Sequence, residues 1–238
     1  MIYRIDPEIL EAFPHFYRGV VVADGIDNST PSGGLELLFR RRIEEVREDE
    51  TISIDHPRIR AWYDIYRSFP LKDARKIHPS IAVLVRRIKG GKELPFISPL
   101  VCISNLISLA YLVPSGLVDP TRVEGDLVLG YAQGTESFTP IGGDEAAPPA
   151  RGEIIYFDSG SKSVMCRAWN SRGGKATSIQ PTTRAAIIDV DGLLTVIPKG
   201  ELEAALLQAA SLLRQYCGAS TSIHYLSRKD PWIEFSLS

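Results

Sequence analysis

A change of hydrophobic period near residue 113 constrains this chain more than any other feature. Upstream of it, apolar residues recur at helical spacing. Over 57–69 they fall at Ile59, Trp62, Tyr63, Tyr66 and Phe69, an i, i+3, i+4, i+7 series that lines one side of a helix. Over 79–89 the pattern returns at Ile81, Leu84, Val85 and Ile88. A third helix spans 98–112. All three begin with Pro at or near the first helical position (Pro57, Pro79, Pro99), where the missing N–H leaves no bond unmade. Ser98 is the expected N-cap of the third. A charged helix is expected near 35–49, after one β-type run at 16–23. Downstream, short β-branched and aromatic runs bounded by Gly, Pro and Ser predict strands at 127–132, 153–158, 164–169 and 185–190. A last helix over 199–217 puts Leu202, Ala205, Leu206, Ala209, Leu212, Leu213 and Tyr216 on one face, with Gly218 as its stop. The tail near 222–236 adds an edge strand. This order predicts one α+β domain over 1–238, with helices packed on a mixed or antiparallel sheet. Within it, 1–97 is a helical, basic lead-in, 98–192 the core, and 193–238 a C-terminal helix and tail.

Bulk properties narrow the class of function. A chain of 238 residues, 44% hydrophobic and 24% charged, buries a core without staples. No apolar run is long enough to span a bilayer. The start, Met1-Ile-Tyr-Arg-Ile-Asp, lacks the apolar stretch of a leader. Three cysteines far apart, Cys102, Cys166 and Cys217, argue against a disulfide framework and for a reducing cytoplasm. A monomer is expected. The net charge of −2 hides an asymmetry. Residues 58–92 hold ten Lys and Arg against two Asp, or +8, which leaves seventeen basic and twenty-seven acidic residues, or −10, elsewhere. Such a block reads as a footprint for a polyanion or as a solvated surface. Arg67, Lys72, Arg75, Lys76, Arg86 and Arg87 are its candidate RNA-binding residues.

Several chemistries find no motif. Gly91-Lys92-Glu93 and Gly174-Lys175-Ala176 lack the rest of a P-loop. No G-x-G-x-x-G follows a strand, and no Gly-x-Ser-x-Gly elbow occurs. His15, His56, His78 and His224 stand apart, without zinc-ligand spacing. Neither a metal nor another cofactor is expected. His56 and His78 each precede a helix-opening Pro and read as N-terminal turn residues.

What remains is a polar pair on an apolar helix, Ser104-Asn105, followed by Pro114-Ser115-Gly116, which reads as a turn. Buried polar side chains need partners, and a glycine lets backbone and ligand approach closely. Asn105 reads either as a bridge to buried backbone or as a ligand contact; on the residues alone Gly173-Gly174 also reads as a hairpin turn and Asp189 as a strand-end solvent residue.

From Ser98 to about Gly192 the chain resembles the B3/B4 editing domain of the phenylalanyl-tRNA synthetase β subunit, and free-standing proteins built from that domain. The resemblance rests on Pro99-Leu-Val-Cys-Ile-Ser-Asn105, Pro114-Ser-Gly116, Asp119 to Arg122-Val-Glu-Gly125, Glu136-Ser-Phe-Thr-Pro-Ile-Gly142, Gly152-Glu-Ile-Ile-Tyr, Gly173-Gly174 and Thr183-Arg-Ala-Ala-Ile-Ile-Asp189, in that order. It implies a trans-acting deacylase that hydrolyses the ester of a mischarged tRNA. The alternative is a non-catalytic module of the same fold that binds tRNA or an amino acid. The implied pocket lies between the Ser-Asn helix, the Pro114 turn and the strands bearing Gly173 and Asp189. Asn105, Ser104 and Gly116 would take the catalytic positions, Gly116 standing where the family has histidine. Pro114, Ser115, Trp169, Asn170, Gly173, Gly174 and Asp189 would form the amino-acid pocket. Asp191 takes the place of Asp189 if the strand slips by two. A Trp at 169 would reshape that pocket, so tyrosine specificity does not carry over. The acceptor end of tRNA is the implied partner.

Overall fold

The computed structural model describes residues 1–29, 33–69, 71 and 74–237. Lys72 therefore lies outside the described residues. In chain order the elements are β1 (Ile2–Ile5), α1 (Pro7–Ala12), β2 (Phe16–Asp24), α2 (Gly33–Glu48), α3 (Pro57–Arg67), α4 (Ser80–Lys89), α5 (Pro99–Tyr111), β3 (Ser115–Val118), β4 (Leu127–Tyr131), β5 (Ile154–Asp158), β6 (Val164–Arg167), β7 (Arg172–Gly173), β8 (Ala185–Leu193), α6 (Lys199–Cys217), β9 (Ser220–Leu226) and β10 (Trp232–Glu234). None of the described helices is long and apolar enough to cross a membrane.

The strands form two sheets where the sequence suggested one. The larger has the order β10-β1-β4-β5-β6-β7, and the smaller β3-β8-β2-β9. The pair β1–β4 is parallel, so the larger sheet is mixed. Each pair of the smaller sheet is antiparallel. Strands as short as β1, β3 and β7 carry too few residues for a period-2 signal, which is why these three escaped the pattern. The lead-in supplies more than helices: β1 lies between β10 and β4, and β2 between β8 and β9.

Period-2 alternation along β2 and β8 separates two cores. Tyr17, Val21, Ala186, Ile188 and Val190 join a cluster with Leu35 and Phe39 of α2, Val85 of α4, Ile103 and Ile107 of α5, and Leu206 and Leu213 of α6. Phe16, Val20, Val22 and Ile187 join another with Trp62 and Tyr66 of α3 and with Tyr3, Leu129, Tyr156 and Met165 of the larger sheet. The small sheet is thus covered on both faces. Glycine sets the approach of α6 to it. A Cβ on Gly19 would sit 2.3 Å from Leu206 Cδ1, and one on Gly192 2.1 Å from Leu202 Cδ1. Any side chain there would push the helix off the sheet.

The helix ends follow the sequence. Ser98 Oγ accepts from Val101 N at 3.5 Å, and His56 Nδ1 from Arg58 N at 3.3 Å. Gly218 closes α6 at φ 64°, a left-handed conformation suited to glycine. Three local expectations are corrected. Ser115 and Gly116 lie in β3, where they pair with Val190 and Asp189, so extended backbone takes the place of a turn. The strand expected over 164–169 stops at Arg167, because Ala168 and Trp169 adopt φ of 45° and 65°. Gly173 is itself a strand residue, paired with Cys166, so Gly173-Gly174 is not a hairpin turn.

Candidate functional site

A cavity of about 410 Å³ lies where α5, β3 and β8 meet the loop after β6, within the size range of small-molecule sites. Along α5 its wall is Val101, Ser104 and Asn105, spaced i, i+3, i+4 on one helix face, with Ile97 just ahead of the helix. Opposite stand Gly116 and Val118 of β3 and Asp189 and Asp191 of β8. Trp169, Asn170 and Gly173 close the third side. At the mouth, Ile97 and Ile141 are 68% and 63% exposed. Gly173 leaves room for that rim: a Cβ on it would lie 3.0 Å from Ile141 Cδ1.

The floor is charged. Arg18 of β2, 2% exposed, donates from Nε to Asp191 Oδ1 at 2.6 Å and from Nη2 to Asp191 Oδ2 at 2.8 Å. This bidentate fork fixes both partners. Arg18 also donates to the hydroxyl of Tyr3. That hydroxyl in turn donates to Asp189 Oδ1 at 2.8 Å. Asp189 Oδ2 has no hydrogen-bond partner among the described residues and looks toward the notch at Gly116, where a Cβ would lie 3.6 Å from it. Burial is the main cause that pushes the Asp189 carboxyl up to about 6, and nearby Asp191 adds to it, against Arg18 and the Tyr3 hydrogen bond. The charged residues lining the cavity are Arg18, Asp189 and Asp191, so the site carries −1 when all are ionised.

Other polar atoms around the cavity also lack partners. The Asn105 amide makes no side-chain hydrogen bond among the described residues, although it lines the cavity half-buried. The buried Ser80 Oγ, Tyr156 Oη and Trp169 Nε1 are likewise unpartnered. Unmade bonds of this kind are costly inside a protein. Their concentration around one cavity marks it as built for a polar ligand. Cys166 also lines it, but burial pushes its thiol up to about 12, so it is not a thiolate nucleophile.

The loop carrying Trp169 is held by one buried carboxylate. Glu153 Oε1 accepts from Arg167 Nε and Ala168 N, each at 2.9 Å, and Oε2 accepts from Arg167 Nη2 at 2.7 Å and Ala150 N at 3.1 Å. Trp169 N donates to Ile154 O at 2.7 Å. Its ring packs edge-on against Phe13, Phe16 and Trp62, with centroids 5.0, 4.7 and 5.5 Å away. These contacts maintain the two left-handed residues, a conformation unfavourable for a bulky side chain. Glu153→Gln replaces an acceptor by a donor inside this cluster. It is expected to lower folding stability by about 2–3 kcal/mol. Urea denaturation reads the loss, and a red shift of tryptophan emission reports loosening of Trp169.

The structure brings most of the sequence-derived pocket residues together and separates the rest. Ser104, Asn105, Ser115, Gly116, Trp169, Asn170, Gly173 and Asp189 line the cavity. Pro114 stands behind it, its carbonyl accepting from Asp191 N at 3.0 Å. Gly174 also stands behind; a Cβ there would lie 2.1 Å from Val164 O, so it serves backbone packing. The amide of Asn170 is occupied: Nδ2 donates to Asp191 Oδ2 at 3.0 Å and Oδ1 accepts from Tyr66. It therefore positions Asp191. Asp189 is mid-strand and buried, in contrast to a solvent-facing strand end. Ser104 and Ser115 share a hydrogen bond of 2.9 Å, which ties α5 to β3. Arg18, Tyr3 and Tyr156 were missed, because nothing in an apolar strand pattern marks which side chain faces a site.

The described cations of the basic segment do not all lie on one face. Arg67 pairs with Asp64 at 2.6 Å, Arg58 with Glu201 at 2.6 Å and Arg60 with Asp55 at 3.2 Å. Arg87 donates to Glu93 O, and Lys89 to the carbonyls of Arg47 and Asp49. Arg86 and Arg87 are successive residues of α4 and so project about 100° apart. Arg75 and Lys76 are exposed on the short turn Ala74–Lys76.

The family model of the B3/4 domain matches residues 63–218, more than half of the chain. The chain belongs to the B3/4 domain family. No curated protein matches it. Among solved structures it is similar to an N-terminal fragment of the phenylalanyl-tRNA synthetase β subunit from Pyrococcus horikoshii, with 12% identity and a TM-score of 0.47. That likeness covers 91% of this chain and 49% of the other, so this chain spans about half its length.

The matched stretch of this B3/4 domain holds Asn105, Trp169, Asp189 and Asp191. Arg18 and Tyr3 lie before it. The charged floor is therefore completed by strands outside the family match. Two buried carboxylates, Glu136 of the quoted motifs and Asp158 at the end of β5, hold loops in place. Asp158 accepts from the backbone of Glu124, Gly125 and Gly160, and Glu136 from that of Gln133, Gly134 and Thr135.

Proposed function

We propose that the cavity receives the aminoacyl group of an aminoacyl-tRNA and that the protein hydrolyses its ester. The observation that carries this reading is the pairing, in one cavity, of the second carboxylate oxygen of the buried Asp189 with the Asn105 amide, neither with a hydrogen-bond partner among the described residues. An amino acid esterified through its carboxyl keeps a free ammonium, and that ammonium meets the unbalanced charge of Asp189. A carboxylate facing an ammonium makes a strong, charge-assisted contact. Asn105 and the Ser104–Ser115 hydroxyl pair then face the ester. There they orient a water and donate to the oxygen on which negative charge develops. The neighbouring ribose hydroxyl of the tRNA end assists as acid and base, since Gly116 supplies no side chain for that role. The apolar walls, with Leu117, Met165 and Ile179 among them, take the side chain of the amino acid.

The test is release of labelled amino acid from a panel of correctly and incorrectly charged tRNAs. Wild type is expected to turn over one mischarged class. Asn105→Ala is expected to slow it about tenfold to a hundredfold, the effect of removing one or two hydrogen bonds to the reacting group. No release of any ester at high protein concentration would sink the hydrolase and leave a binding module.

A further inference from the structure

Beyond the Ser178–Gln180 segment, a second cleft of about 720 Å³ adjoins the cavity; the two share Ser178 and Gln180 as lining. Its charged residues are Arg122, Lys175, Arg184 and Asp119. Asp119 is fully engaged. Oδ1 accepts from Thr121 N at 3.1 Å and Thr121 Oγ1 at 2.6 Å, and Oδ2 from Thr183 Oγ1 at 2.7 Å. The three cations are only lightly held. Arg122 Nη1 reaches Ser178 O at 3.4 Å, and Arg184 Nη1 donates to Ile26 O at 3.0 Å. A guanidinium has five N–H donors, so both keep most of theirs. Lys175 pairs with Asp144, whose side chain is 94% exposed; pairs so open to water are weak and easily exchanged.

This contrasts with the 58–92 segment, where Arg58 pairs with Glu201 and donates to Tyr111 O, Arg87 donates to Glu93 O, and Lys89 donates to the carbonyls of Arg47 and Asp49. One other groove meets the cavity, at Ser171, and holds Lys76, Arg167 and Arg172. Arg167 there is neutralised by Glu153, and the rest of its lining is largely apolar, as at Leu71, Ile77 and Ala150. The first cleft instead combines three cations with Thr and Ser hydroxyls, the donors that bind phosphate oxygens.

We propose that the Arg122–Lys175–Arg184 cleft binds the phosphodiester groups of the single-stranded 3′ end of an RNA. This rests on the reading of the cavity as an aminoacyl site. An ester joins the amino acid to the terminal ribose, so the last phosphates must lie beside the cavity, and this cleft adjoins it at Ser178 and Gln180. The contacts are to phosphates, so they position the strand without reading its sequence.

The experiment uses the full chain and an uncharged, fluorescent RNA hairpin with a single-stranded 3′ tail, followed by anisotropy across a salt series. Arg122→Glu with Lys175→Glu is expected to weaken binding about tenfold or more. It is also expected to flatten the plot of log affinity against log salt by about 1.4, two phosphate contacts at roughly 0.7 each. Arg122→Gln with Lys175→Gln should do the same more mildly, and unchanged melting shows that each variant folds. Trimming the tail should cost wild type as much as the double charge reversal and cost that variant nothing further. Arg67→Glu with Arg75→Glu should stay within about twofold of wild type. Binding unaffected by the cleft substitutions, lost instead in Lys76→Glu with Arg172→Glu, or indifferent to the tail would overturn the proposal. So would no binding by wild type. The assay needs no turnover: cleft-dependent binding by a protein that releases no amino acid upholds the cleft and refutes the hydrolase.

Discussion

Arg18→Met is expected to lower folding stability by about 3–5 kcal/mol, the cost of removing one partner from a buried ion pair. Arg18 is 2% exposed, and its guanidinium is the cation that faces Asp191, Asp189 and Tyr3 together. Met keeps much of the apolar stem packed near Phe16 and Tyr156. The loss therefore reports charge more than volume. Two carboxylates would remain buried with no cation among the residues lining the cavity. The pH dependence follows. In the variant Asp189, whose carboxyl burial already pushes up, loses the Arg18 charge that opposes the rise, so between its unfolded and folded values the folded state binds more protons than the unfolded state. Stability then falls as pH rises through that window and recovers as pH drops toward 4. Adding Asp191→Asn should restore about half of the loss, since the two residues share one interaction. Urea denaturation of the two single variants and the double variant, at pH 7 and pH 5, measures the cycle. A cost under about 1 kcal/mol for Arg18→Met would mean that water reaches the floor and screens it.

The sequence made the helices legible because each carries several signals at once. In α5 the Ser98 cap, Pro99 at the first position and the apolar run agree, and the bounds fall within a residue of expectation. The same holds for α6, from Leu202 to the Gly218 stop. The second sheet was hidden because its definition depends on long-range pairing: β2 joins β8 across more than 160 residues, and local pattern carries no such information. The site was legible in its outline. Asn105, Gly116, Trp169 and Asp189 were named from ordered motifs and do line one cavity. Its electrostatics were not. Arg18 sits in Phe16-Tyr-Arg-Gly-Val-Val-Val, where one charge in an apolar strand gives no hint of its partner 173 residues later. Asn170 looked like a ligand reader, yet its amide is taken by Tyr66 and Asp191. The basic block is a related case: composition counts charges and not their partners, and among its nine described cations Arg58, Arg87 and Lys89 are held by a partly buried carboxylate or by backbone carbonyls.

Asp189→Asn is expected to stabilise the ligand-free protein while it abolishes recognition of an amine. Burial holds the Asp189 carboxyl up at about 6, against 3.8 in the unfolded chain. An acid raised in this way binds its proton more tightly when folded. Its contribution to stability therefore declines as pH rises from about 4 to about 6 and stays low above that. At pH 7 the penalty is on the order of 2–3 kcal/mol. Asn removes the charge, fits the same space, and still accepts the hydrogen bond from Tyr3. The melting temperature at pH 7 should rise by about 4–8 °C for a chain of this size, and the two proteins should converge near pH 4. The ligand probe is a 3′-aminoacylamido-adenosine, the stable amide analogue of the ester, titrated by calorimetry. Its affinity should fall about 10²- to 10³-fold in Asp189→Asn, as when one half of a buried charge pair is lost. Wild type should bind it less tightly below pH 6, and should bind the N-acetylated probe hardly at all. A variant that melts lower than wild type would make Asp189 a structural acceptor for Tyr3. Equal binding of the free and acetylated probes would remove the ammonium from the site. A gain in stability together with a loss of binding is what a site held at an energetic cost for its ligand must give, because the charge that destabilises the empty cavity is the one the ligand neutralises.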